Sequence, residues 1–150
     1  MPESSTDSRS FVDALPLAIL GGLVATVVFT LVARYVAPVL IGHPMDVPAV
    51  LGGFTGLGAL VGLLIHFVIG AVAFPIAYLI VGPYVPGPGW LRGVVFMVVM
   101  WLLAAVVVMP VAGVGLFFGG AKEAVTALIG HVVFGAILGA VAPLPDRSAQ

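Results

Sequence analysis

Two of the three histidines in this 150-residue chain lie deep inside long apolar stretches. His66 sits in Leu-Leu-Ile-His-Phe-Val-Ile-Gly, and His131 in Leu-Ile-Gly-His-Val-Val-Phe-Gly. A polar side chain in hydrocarbon is costly and turns toward the interior of a helix bundle. Small residues recur at four-residue spacing along each ring's face: Gly62 and Gly70 around the first, Ala127, Gly135 and Gly139 around the second. Positions i and i+4 share a helix face, so each histidine lies in a groove floored by small side chains. Three chemistries are open to such a pair. The rings can hydrogen-bond across a close helix contact, to each other, to a carbonyl or to a buried water, with no ligand needed. They can be the two axial ligands of a haem b, one imidazole on each side of the macrocycle, as in a membrane electron carrier. They can also relay protons or line a small-solute conduit, since imidazole titrates near neutral pH, and a chain this small would have to oligomerise to do so.

The elements that must position the pair follow from composition. Hydrophobic residues make up 62% of the chain and charged residues 7%, against about 25% charged in soluble domains. Mean hydropathy is +1.31. Such a chain cannot coat a water-soluble globule, and it has no charged block with which to hold nucleic acid. The absence of cysteine excludes disulfides, thiolate zinc sites, iron–sulfur clusters and c-type haem attachment. A spanning helix needs roughly 20 apolar residues. Four runs qualify, at about residues 14–36, 55–81, 90–109 and 123–141. They are continuous rather than alternating, which excludes an outer-membrane barrel. The predicted fold is therefore all-α, an integral membrane four-helix bundle over residues 11–142, with the lipid bilayer as its first partner. Residues 1–10 read as a disordered polar arm and 143–150 as a polar tail. The stretch 37–54 is apolar but broken by Pro38, Gly42, Pro44 and Pro48, and fits either a short interfacial helix or a partly re-entrant loop.

Four spans put both termini on one side. Arg9, Arg92 and Arg147 on that side outnumber Arg34 and Lys122 on the other, which places the termini in the cytoplasm of a cell membrane. The second and fourth spans then run in the same direction. At 1.5 Å per residue, His66 and His131 both fall roughly 12–17 Å from one membrane face. A weak internal repeat accompanies them. His66-Phe-Val-Ile-Gly-Ala recurs as His131-Val-Val-Phe-Gly-Ala, and Pro38-Val39 as Pro110-Val111, which suggests two duplicated helix hairpins.

Other residues carry plainer readings. Arg34 closes the first span as a topology anchor, with a haem propionate or an anionic lipid as its functional alternative. His43 and Asp46 lie three apart in the first loop, two ligands short of a metal site. Glu123 complements the dipole of the helix it opens. Pro75 can kink the second span. Phe67, Phe74, Phe134 and Trp101 suit a haem pocket or ordinary packing, and Met97 and Met100 are packing residues before they are ligands. No nucleophile–base–carboxylate set can be assembled, so hydrolytic chemistry is not expected.

The chain resembles an uncharacterised family of small four-helix membrane proteins of bacteria and archaea that carry a domain of unknown function. The residues behind the resemblance are Gly21-Gly22-Leu-Val-Ala-Thr26, His66-Phe-Val-Ile-Gly70, Arg92-Gly93, Trp101, Met109-Pro110, Gly113-x-Gly115-Leu-Phe117 and Gly130-His131-Val-Val-Phe-Gly135. The resemblance implies four spans and marks His66 and His131 as signature positions. It brings no activity. The expectation is a non-enzymatic accessory or structural subunit, in a larger membrane complex or a homo-oligomer, with two facing mid-membrane histidines. A bis-histidine haem b carrier and an oligomeric proton or small-solute conduit are the alternatives.

Overall fold

The computed structural model describes residues 9–146, and the expectations for residues 1–8 and 147–150, including Arg147 as an anchor, lie outside it. Helix α1 (Phe11–Ile41) starts at a capping box. The Ser10 hydroxyl accepts from Asp13 N at 3.2 Å and the Asp13 carboxylate accepts from Ser10 N at 3.2 Å. Two of the orphan donors of a helix start are thereby satisfied. Arg9 and Ser10, expected to lie in a disordered arm, are instead held. Arg9 N donates to Asp146 Oδ2 at 2.9 Å and Asp146 N donates to Arg9 O at 3.1 Å. Leu144, in the expected tail, packs on the core beside Gly82.

The chain leaves α1 at Gly42, whose φ of +84° suits a residue without Cβ. It then doubles back. Met45 N donates to Ala33 O at 3.0 Å, eight residues below the end of α1, or about 12 Å down its axis. Helix α2 (Val47–Thr55) starts there, capped by Asp46, whose carboxylate accepts from Ala49 N at 2.9 Å. It climbs again and turns through Gly56 and Gly58, both with positive φ, into α3 (Ala59–Tyr84). Stretch 37–54 thus folds back along α1 and returns as a short helix. Its backbone is not left to lipid, because α2 lies on α3: the backbone at Pro48 and Gly52 fills the space a side chain at Gly62 would need.

Helices α4 (Gly89–Val111) and α5 (Ala121–Val141) complete the bundle. Among the described residues four helices are long and apolar enough to cross a membrane: α1, α3, α4 and α5. The closest approach is between α4 and α5, where Gly89 and Gly93 face Gly135 and Gly139 backbone to backbone. This is the small-xxx-small packing of membrane helices. Of the readings open to Gly135 and Gly139, the close helix contact is the one seen, since α4 fills that groove. Gly70 likewise receives Thr26 of α1, and Gly130 receives Phe29. Side chains tie the same helices. The indole N–H of Trp101 donates to Ala124 O at 3.0 Å, and the Tyr78 hydroxyl donates to Gly89 O at 3.1 Å. The half of the bundle nearer the termini is closed by Tyr78, Leu79, Phe96, Met97, Phe134 and Leu138, all buried.

Three of the four long helices contain one wide π-helical turn: Val32–Val36 in α1, Ile69–Ala73 in α3 and Ala104–Val108 in α4. Each ends two residues before a proline, Pro38, Pro75 or Pro110. Proline lacks an N–H, and its ring collides with the carbonyl one turn back. The wider turn displaces that carbonyl and lets the helix continue.

Candidate functional site

The histidines come from α3 and α5 and meet around a ring of α1. Phe29 stands 5.8 Å from His66 and 5.3 Å from His131 between ring centroids, edge-on to the latter. Gly130 has no side chain, and this is what lets Phe29 approach α5. His66 Nε2 lies 3.1 Å from Thr30 Oγ1. His131 Nδ1 lies 2.8 Å from Ala127 O, one turn earlier on its own helix.

The second of these bonds places a ring proton. A carbonyl only accepts, so His131 Nδ1 carries a hydrogen. Thr30 Oγ1 has one hydrogen and donates it to Thr26 O at 2.8 Å. In that arrangement Thr30 accepts from His66 Nε2 and leaves His66 Nδ1 bare; in the other tautomer Thr30 turns its hydrogen to Nε2. The ladder continues below, where Thr26 Oγ1 donates to Gly22 O at 2.6 Å. In the neutral rings His131 Nε2 is a bare acceptor, and so is His66 Nδ1 when Nε2 donates to Thr30. Among the described residues no buried side-chain nitrogen or oxygen lacks a partner. These two have no bond to protein, so each borders open space.

Two cavities provide that space. The inner one, about 100 Å³, is lined by both histidines, Phe29, Leu51, Phe74, Met97 and Phe134 among others. The outer one, about 350 Å³, lies between α1, the segment Pro44–Pro48 and α3. Thr30, Ala33, Arg34, Asp46 and His66 are on its walls. Phe29 and His66 belong to both cavities and form the partition. Beyond the inner cavity the buried aromatic layer around Phe96 and Tyr78 closes the way to the opposite face. The larger space is a vestibule with polar groups on its walls, and the smaller, mostly apolar one adjoins it across Phe29 and His66; both are partly open.

Other sequence candidates fall elsewhere. Phe67 stacks edge-on against His66 at 5.8 Å. Trp101 is spent on Ala124 and lies near Phe117, away from the histidines. His43 Nε2 lies 3.9 Å from Glu123 Oε1 at the rim of a third cavity of about 170 Å³, shared with Asp46 and Phe118. Among the described residues no group of three His, Cys, Asp or Glu side chains could hold a metal. The loop behind that rim carries Phe117 and Phe118 at φ +50° and +61°, left-handed values uncommon outside glycine. Sequence reasoning missed Phe29, the Thr26–Thr30 ladder and the Pro44–Pro48 strap. The signal available was two threonines four apart in a span with no other serine or threonine.

No curated protein and no solved structure matches the chain. A model of a protein family described only as a family of unknown function does match, over residues 12–148, and the chain belongs to that family, DUF6789.

Proposed function

We propose that this is a non-enzymatic accessory protein of the cell membrane, with cytoplasmic termini, that admits a small guest from the opposite face and holds it at the histidine pair. The observation behind this is the vestibule itself. Its volume of about 350 Å³ falls within the range of roughly 300–1,000 Å³ typical of small-molecule sites. Its floor is a histidine whose second nitrogen is bare. The apolar layer beyond His131 favours holding over conducting, so the conduit alternative has less support. The bis-imidazole haem b alternative also has less support. The space between the rings, about 100 Å³, suits a few waters, each taking about 30 Å³. Phe29 stands against both rings, where a macrocycle would have to pass. Protein purified after expression with adequate haem supply is expected to be colourless. A Soret band lost in both His66→Ala and His131→Ala would reverse that reading.

The native chain has no cysteine, so single-cysteine variants report access cleanly. Ala33 is buried and on the vestibule wall, while Ala18 is buried in the opposite half. In proteoliposomes Ala33→Cys is expected to react with a charged, water-soluble thiosulfonate added from one side only. Ala18→Cys is expected to stay unreactive. Equal silence at both positions would show that water does not enter, and the reading would fail.

A further inference from the structure

The proposed reading leaves the guest unnamed, and the inner cavity narrows its chemistry. Resting on that reading, we infer that the inner cavity is a Cu(I) site formed by His66 Nδ1, His131 Nε2 and the thioether of Met97. His131 Nε2 is a bare acceptor because Nδ1 donates to Ala127 O, and His66 Nδ1 is one in the tautomer whose Nε2 donates to Thr30. A lone pair facing a cavity binds either a hydrogen-bond donor or a cation. Met97 is buried to 1% exposure and lines the same cavity as the two rings. Thioether sulfur selects soft metals, and imidazole binds copper readily.

Charge decides between oxidation states. No carboxylate lines the inner cavity, so three neutral ligands leave the full ionic charge in a low-dielectric interior. The solvation cost of an ion grows as the square of its charge, which favours a monovalent ion over a divalent one. Calcium and magnesium find none of the oxygen ligands they prefer, and zinc finds two imidazoles but no third nitrogen, carboxylate or thiolate. The route in is also suited to a soft ion, since Met45 lies on the wall of the outer vestibule that ends at His66. The ion arrives and leaves as Cu(I), and no electron transfer is involved.

The test is Cu(I) binding by the purified full-length protein in detergent under reducing conditions, in competition with bicinchoninate. One Cu(I) per chain is expected, with an X-ray absorption spectrum that fits nitrogen plus one sulfur neighbour. Leucine conserves the volume of Met97, and Met97→Leu is expected to keep the fold, lose the sulfur neighbour and weaken binding by about tenfold or more. His131→Ala is expected to abolish binding, with circular dichroism confirming the helices. Binding that is unchanged in Met97→Leu, or a spectrum without sulfur, would overturn the assignment. So would an absence of Cu(I) binding by protein whose Ala33→Cys variant is reactive: the vestibule would stand and its guest would not be copper. An unreactive Ala33→Cys would instead remove the vestibule on which the inference rests.

Discussion

Leucine in place of Gly93 is expected to take the bundle apart. At this position any side chain would point into the backbone of Gly135 and Gly139 on α5, not into another side chain that could swing away. The helices would have to separate along their closest contact. Separation would break the indole bond from Trp101 to Ala124 and unpack Phe96 and Met97 from Phe134 and Leu138. Overpacking a core that can adjust costs about 1–3 kcal/mol. Here the obstacle is main chain, so a loss of about 4 kcal/mol or more is expected, the range reserved for severe core damage. Unfolding in mixed micelles, followed by circular dichroism and size exclusion, measures it. Gly53→Ala is the matched control, because nothing lies within 4 Å of a side chain there. It should shift stability by no more than about 1 kcal/mol. Equal effects of the two substitutions would mean that the α4–α5 seam is not the tight joint described.

Gly62→Leu should have an equally large effect with a different result. Its side chain would occupy the place of the Pro48 carbonyl and the Gly52 amide. Helix α2 would therefore be pushed off α3. The four long helices do not depend on that contact, since their own seams run through Gly21, Gly22, Gly70, Gly93, Gly130, Gly135 and Gly139. The segment Pro44–Pro48 would move with α2, and it is one wall of the vestibule. The expected outcome is a protein that stays monodisperse and nearly as helical, but whose Ala33→Cys variant is labelled faster by about tenfold. Global unfolding would show instead that α2 is part of the core.

Much of this was legible in the chain. Four apolar runs, their breaks at proline and glycine, and two histidines at one depth follow from composition and counting. The pairing of His66 with His131 around a single cavity agrees with that count. The surroundings of the pair were not legible, for a physical reason. Helices in lipid are apolar on every side, so hydrophobicity does not tell which face looks inward, and Phe29 has nothing to set it apart from Phe67 or Phe118. The glycines allowed both a close helix contact and room for a ligand, because the two leave the same trace in a sequence. The dip at Met45 depends on one backbone hydrogen bond to Ala33, a contact between residues twelve apart that no local pattern announces.

The wide turns before Pro38, Pro75 and Pro110 bear on how relatives of this chain should be aligned. Each turn holds one residue more than an ordinary helical ladder would need, and the regular spiral resumes beyond it. A relative one residue shorter at such a turn, and without the proline, would close an ordinary ladder there and keep every side chain on its present face. The same deletion elsewhere in a span would rotate all that follows by about 100°. A single-position gap between residues 69 and 73 would therefore leave His66 facing Phe29 while Tyr78 still reached Gly89, so that the two ends of α3 would remain correctly matched across a gap.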